Sequence, residues 1–279
     1  MDANIDIVKL KKKAVEIRKD ILKMLTLAGS GHTGGSLSLV EILLALYYCI
    51  MRHKPKNPGW PDRDRLVLSK GHGCPALYAV LADCGYFPKE QLWTLRKLGS
   101  ALQGHPQLGL PGIESSSGSL GQGLSIANGI ALAARMDNLD IMAYCIMGDG
   151  ETNEGQVWEA AMTAAHYKLG SVCAIIDYNE LQIDDFCCKV KDMSPYLHKW
   201  ESFGWNVLET DGHDVEKLVY SLNEAKKVKV KPTVIVAHTV KGKGVSFVEN
   251  KVEWHGIAPK QKEYERAIQE LDEALAKLS

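Results

Sequence analysis

Three stretches of this chain are apolar along nearly their whole length instead of on alternate residues: Ile141–Met147, Val172–Tyr178 and Thr233–His238. A strand with one wet face alternates apolar and polar residues, whereas a run apolar throughout is buried on both faces, as in a parallel sheet. Leu66–Ser69 and Asn206–Glu209 are shorter strand candidates. Segments of helical periodicity separate the strands: Leu120–Met136, Asn153–Leu169 (Val157, Ala160, Ala161, Ala164 and Ala165 on one face), Pro195–Phe203 and Val215–Lys227. Gln261–Leu278 closes the chain with Ile268, Leu271, Leu275 and Leu278 in register. This alternation predicts an α/β fold, a parallel sheet covered by helices on both faces. Upstream, Ile5–Leu27, Leu37 to about Met51, Pro75–Cys84 and Lys89–Leu98 read as helices, with loops over Lys54–Arg65 and Ser100–Gly118. No internal repeat or low-complexity linker interrupts the chain, so residues 1–279 are expected to form a single domain.

Composition narrows the function classes. With 33 Lys+Arg against 34 Asp+Glu, no broad basic footprint exists for nucleic acid or an anionic membrane. The longest apolar run, Ile42–Met51, is too short to span a bilayer. The first residues carry Asp2, Asp6, Lys9, Lys11, Lys12 and Lys13 with no apolar stretch behind them, unlike a secretory signal. Seven cysteines without CxxC spacing suit a reducing compartment. A soluble, cytoplasmic protein is expected.

The densest chemical signal is Gly148-Asp149-Gly150, followed by Glu151-Thr152-Asn153-Glu154-Gly155 and an alanine-rich helix. Glycines at a strand end let the backbone turn sharply and approach a ligand closely. The next helix aims free N–H groups and a positive dipole end at that ligand, favouring an anion. Asp149 would repel a phosphate there, so a divalent cation between the two resolves the conflict. The following strand ends in Asp177-Tyr178-Asn179-Glu180-Leu181, and consecutive strands of a right-handed crossover end near each other. Asp149 and Asn179 can therefore give oxygen to one hard ion such as Mg2+. A calcium loop fits worse, since Glu154 stands where that loop needs glycine. Gly118–Gly123 has the wrong spacing for a dinucleotide fingerprint, and Lys241-Gly242-Lys243-Gly244 lacks the hydroxyl residue of a P-loop. An ordinary strand-to-helix turn would explain Gly-Asp-Gly alone, but not its pairing with Asn-x-Leu at the next strand end.

Four histidines sit in or beside glycine-containing turns: Gly31-His32, Gly71-His72-Gly73, Gly104-His105 and His255-Gly256. None falls on a predicted apolar face. Together they point to a polar cleft that handles hydroxyl protons near neutral pH.

Gly148-Asp149-Gly150, twenty-eight residues and Asn179 resemble the thiamine diphosphate signature. The resemblance assigns Asp149, Asn179 and the backbone carbonyl of Leu181 to Mg2+ on the cofactor's diphosphate, with Ca2+ or Mn2+ as substitutes and Gly150 beside it. The histidine motifs in their order, Gly118-Ser-Leu-Gly-Gln-Gly123, and Lys241 fourteen residues before His255 resemble the amino-terminal part of transketolase, from about His32 to His255. That resemblance implies the thiamine diphosphate-binding fold and ketol transfer, the movement of a two-carbon unit from a ketose phosphate to an aldose phosphate. It makes His32, His72, His105 and His255 the catalytic histidines. It also gives His72, His255, Lys241 and the backbone at Gly118 and Leu120 to the cofactor, and Glu154 to a carboxylate network between subunits. An N-terminal helix carboxylate is an equal reading of Glu154. Thr33-Gly34-Gly35 departs from the family, which often has proline and a hydroxyl residue there. A full transketolase is more than twice this length, and its second domain carries the glutamate that activates the cofactor. The chain is thus expected to be the N-terminal subunit of a split enzyme, completed by a C-terminal subunit in an α2β2 assembly.

Other readings are weaker. Deoxyxylulose phosphate synthase and the alpha chain of a 2-oxo acid dehydrogenase do not fit Gly104-His105-Pro106 and Trp254-His255-Gly256. A split transketolase acting on a branched or rare pentulose phosphate stays open. A non-catalytic cofactor-binding paralogue should have lost some of these residues.

Overall fold

The computed structural model describes residues 6–278; Asp2 and Ile5, which entered the reading of the first segment, lie outside them. Five strands, β1 (Arg65–Leu68), β2 (Ala143–Gly148), β3 (Val172–Tyr178), β4 (Asn206–Asp211) and β5 (Thr233–His238), form one parallel sheet in the order β1-β2-β3-β5-β4. The helices are α1 (Ile7–Ala28), α2 (Thr33–Leu37), α3 (Val40–Leu44), α4 (Cys74–Asp83), α5 (Gly123–Met136), α6 (Gly155–His166), α7 (Cys187–Lys191), α8 (Tyr196–Ser202), α9 (Val215–Lys227) and α10 (Gln261–Ala276).

The apolar runs are central strands whose residues divide between two cores. Tyr144, Ile146, Cys173, Ile175, Ile235 and Ala237 face one side, packed by α1, α3, α4, α9 and α10. Ala143, Cys145, Met147, Val172, Ala174, Ile176, Val234 and Val236 face the other, packed by α5, α6 and Trp200 of α8. Each fully buried large aliphatic side chain contributes about 1.5–3 kcal/mol, so both faces stabilise the sheet that carries the site.

Two expectations need correction. The helix expected from Leu37 to about Met51 starts at Val40 as α3, after a break that separates it from α2, and runs on directly into a wider π-helical segment, Ala45–Ile50. Nearly every side chain there is buried, so there was no polar face to mark the breaks. The same segment, Thr33–Ile50, is long and apolar enough by length and composition to cross a bilayer, and 89% of it is buried inside the fold. Lys89–Leu98 is helical only as far as Thr94, and as a 3-10 helix instead of an α-helix. Arg96 then adopts φ 60°, and its N–H donates to the Leu102 carbonyl at 2.7 Å. The long loop expected over Ser100–Gly118 is present as such.

Candidate active site

The carboxyl ends of the strands supply the functional side chains. β1 leads to Lys70 and His72, β2 to Asp149, β3 to Asn179 and Leu181, and β5 to Lys241. Gly148 and Asp177 are partners in the β2–β3 register, which places the two motifs side by side. A cavity of about 380 Å³ opens over these ends. Its lining includes every residue that the sequence assigned to the site: His32, His72, His105, Gly118, Leu120, Asp149, Gly150, Glu154, Asn179, Leu181, Lys241 and His255.

The four histidines converge. The His32 ring lies 5.0 Å from His72, 6.3 Å from His105 and 5.5 Å from His255, and His72 lies 5.3 Å from His255. Burial pushes His32 down to about 4, helped by His105 and Arg96, and His255 down to about 3, helped by Lys241. His72 and His105 are lowered for the same first reason. The cluster is therefore held neutral at pH 7. Neutral imidazoles each offer one donor and one acceptor to a sugar hydroxyl. The Lys241 ammonium donates to His255 Nδ1 at 2.7 Å, which leaves the His255 proton on Nε2.

Asp149 is buried, and its carboxylate accepts from the N–H of Gly150 at 2.8 Å and of Glu180 at 2.5 Å. Burial raises its carboxyl to about 6, with Asp177 adding to the effect. Asn179 Oδ1 accepts from Leu181 N at 3.2 Å. The Leu181 carbonyl, which the resemblance gives to the metal, accepts from Lys241 Nζ at 3.1 Å. Burial and the neighbouring Lys70 lower Lys241 to about 8. Glu154 is exposed at the start of α6 and makes no capping bond.

Sequence reasoning missed three buried charged residues. Lys70 pairs with Asp177 beneath the cavity, and Asp177 also accepts from Ser38, Thr239 and Asn179. Glu151 accepts from the Ser69 hydroxyl, from Gly121 N at 2.8 Å and from Gly148 N at 3.0 Å, so one carboxylate ties three site turns together. The bordering Thr33-Gly34-Gly35 has a steric reason: a Cβ on Gly34 would lie 2.9 Å from Lys241 Cγ and 3.1 Å from the Trp254 carbonyl.

The donor set fits a diphosphate held through a hard cation. A carboxylate, an amide oxygen and a backbone carbonyl line one part of the cavity, with two lysines and four imidazoles in the same lining. Among the described residues no cluster of three or more His, Cys, Asp or Glu side chains could hold a metal alone. Asn153 Oδ1 and Gln182 Nε2, on two residues of the lining, are buried without a partner among the described residues. Such polar atoms call for an ordered water or a ligand.

A parallel sheet with this site at its carboxyl edge defines a diphosphate-cofactor-binding α/β protein. Residues 10–274 match the family described as transketolase, thiamine diphosphate binding domain, and the chain belongs to that family. It is 47% identical over 264 residues to the 6-deoxy-6-sulfo-D-fructose transketolase subunit SqwG of Clostridium sp. (strain MSTE9), covering 94% of this chain and 96% of that one. It is 42% identical to an apulose-4-phosphate transketolase subunit of Phocaeicola vulgatus, covering 94% and 93%. The crystal structure of the Pichia stipitis transketolase complex with sedoheptulose-7-phosphate superimposes with a TM-score of 0.86 at 32% identity, covering 96% of this chain and 44% of that one. The chain thus spans nearly all of the subunit relatives and less than half of the long enzyme.

Proposed function

We propose that this chain is the N-terminal subunit of a two-subunit transketolase, which transfers a two-carbon ketol unit from a ketose phosphate to an aldose phosphate together with a C-terminal subunit. The observation that carries this reading is the convergence of four neutral histidines on the cavity that Asp149, Asn179 and Lys241 also line. Thiamine diphosphate, when bound, supplies the electron sink for breaking a bond next to a carbonyl. Asp149, Asn179 and the Leu181 carbonyl would hold Mg2+, and Lys241 would turn from that carbonyl toward the diphosphate. Gly118 and Leu120 would present backbone to the aminopyrimidine. His32, His72, His105 and His255 orient sugar hydroxyls, and His255 can donate from Nε2. An anion in the cavity would raise all four histidines toward the range where they also carry protons. Glu154, exposed at the cavity rim, would meet the partner subunit. The assembly would be α2β2, cytoplasmic and part of pentose phosphate metabolism.

A second donor class is favoured by the two subunit relatives, whose names specify 6-deoxy-6-sulfo-D-fructose and apulose-4-phosphate. Both donors share an anionic end distal to the ketol unit. The test is to assay the purified chain by itself and with a co-expressed C-terminal subunit, the gene for which is expected beside its own, on a panel of such ketoses. The chain by itself should bind thiamine diphosphate with Mg2+ weakly and show no transfer, and the pair should turn over. Robust turnover by the single chain would overturn the split-enzyme reading.

A further inference from the structure

Lys241 sits on a strap, residues 239–244, that leaves the sheet after Thr239, whose N–H still donates to the Tyr178 carbonyl at 3.0 Å; beyond it Lys243 N donates to the Val240 carbonyl at 3.1 Å and Gly244 N to Glu249 at 2.9 Å. Gly242 N donates to the Gly34 carbonyl at 2.9 Å, and Asn250 N donates to the Lys241 carbonyl at 2.9 Å. On the other side a buried charge relay grips it twice. The Arg18 guanidinium binds Glu41 through both nitrogens at 2.7 Å, and its Nε donates to the Lys243 carbonyl at 2.8 Å. The second Glu41 oxygen lies 3.0 Å from His213 Nδ1, and His213 Nε2 lies 2.8 Å from Val240 N. Val240 can only donate, so Nε2 accepts and the ring proton sits on Nδ1, directed at Glu41.

His213 is placed for this by β4. Gly212 N donates to the His238 carbonyl at 2.7 Å, and a Cβ at Gly212 would collide with Thr239 Cγ2. The Asp211-Gly212-His213 turn therefore lies directly against the root of the strap. His213 is not among the residues that line the cavity. It reaches the site through the backbone of the residue before Lys241.

We infer that His213 is a positioning residue for Lys241: oriented by Glu41 and Arg18, it fixes the Val240 peptide and with it the direction in which the Lys241 ammonium points. This rests on the reading of the cavity as a thiamine diphosphate site. An imidazole suits the role because one flat ring accepts from the strap and donates to a buried carboxylate at the same time. Glutamine can do the same through its longer amide. Asparagine reaches Glu41 but not Val240.

The test compares His213→Gln with His213→Asn in the full chain by two measurements. Without cofactor, hydrogen exchange at Val240 and Lys241 should quicken at least tenfold in H213N and stay near wild type in H213Q, with β3 and β5 unchanged in both. With Mg2+, thiamine diphosphate affinity by calorimetry should fall about tenfold in H213N and within threefold in H213Q. In a Lys241→Met background H213N should cause no further loss, because the effect travels through that lysine. Additive losses in the double variant, equal behaviour of H213N and H213Q, or unchanged exchange at the strap would overturn the inference. A wild-type chain that bound no cofactor would overturn the site reading instead, and the exchange comparison would still decide the role of His213.

Discussion

Glu151 offers the sharpest test of how the fold and the site depend on each other. Its carboxylate is buried, and it accepts from the Ser69 hydroxyl, Gly121 N and Gly148 N, one donor from each of three turns that border the cavity. A hydrogen bond to a charged group contributes about 1.5–3 kcal/mol, so three make roughly 4.5–9 kcal/mol before any offset. Removing the carboxylate also returns its desolvation cost, several kcal/mol for a buried ion. That cost is visible in the direction of its carboxyl, which burial raises. The balance predicts that Glu151→Ala destabilises the cofactor-free chain by about 2–4 kcal/mol. At roughly 2–4 °C per kcal/mol for a domain near this size, the midpoint should fall by about 5–15 °C. Glu151→Gln keeps the volume and one acceptor but turns an amide N–H toward a backbone N–H, so its loss should be intermediate. Thermal and urea unfolding followed by circular dichroism would measure both. Cofactor affinity should fall with stability, because the turns bearing Gly118, Leu120 and Gly150 lose their common anchor. An alanine variant that melted within 2 °C of wild type, a shift worth less than about 1 kcal/mol, would refute the claim that one carboxylate holds the three turns.

Further outcomes follow from the same geometry. Burial works to raise the Glu41 carboxyl, but Arg18 and His213 overcome it and hold it at about 2 against an ordinary 4.5. A depressed acid stabilises the fold above its unfolded value and loses that contribution as pH falls from about 4.5 toward 2. The shift is worth roughly 3 kcal/mol, so Glu41→Gln should flatten the acid limb of a stability-versus-pH curve; an unchanged limb would show that other carboxylates dominate it. Asp149→Ala should keep the fold by circular dichroism while abolishing Mg2+-dependent thiamine diphosphate binding; unchanged affinity by calorimetry would remove Asp149 from the metal site. Gly34→Ala would push a methyl group into Lys241 and the Trp254 carbonyl, at a cost of about 1–3 kcal/mol. It should lower both the urea midpoint and cofactor affinity, and a variant affecting neither would show that the strap can shift freely.

Much of this was legible because the relevant signals are local. The strands β2, β3 and β5 announce themselves because burial on both faces removes polar residues from the run. The edge strand β4 runs two residues past its expected end, because partly exposed residues dilute its pattern. The histidines could be picked out because they lie in glycine-containing turns and not on apolar faces. Lys70, Asp177 and Glu151 stayed hidden for a physical reason. Each looks like any charged residue until its partner is known, and the partners lie far along the chain: Lys70 is 107 residues from Asp177 and Ser69 is 82 from Glu151. The neutrality of the histidines was equally unreadable, since it follows from how deeply the fold buries them.

The strand order has a consequence for how the protein is made. Of the five strands β5 is the last to leave the ribosome, yet it lies inside the sheet, between β3 and β4. β4 pairs only with β5 and must wait, already synthesised, for its neighbour to arrive. The part of the sheet from β1 to β3 can close first, but the edge that bears Lys241 and the turn of His213 closes only after β5 has been made. Long-range parallel pairing of this kind is slow, and an unpaired β4 would be the exposed edge on which a stalled chain aggregates. A nascent chain that stops before β5 therefore carries Asp149 and Asn179 but no lysine strap, and the cavity exists only in chains that have been completed through it.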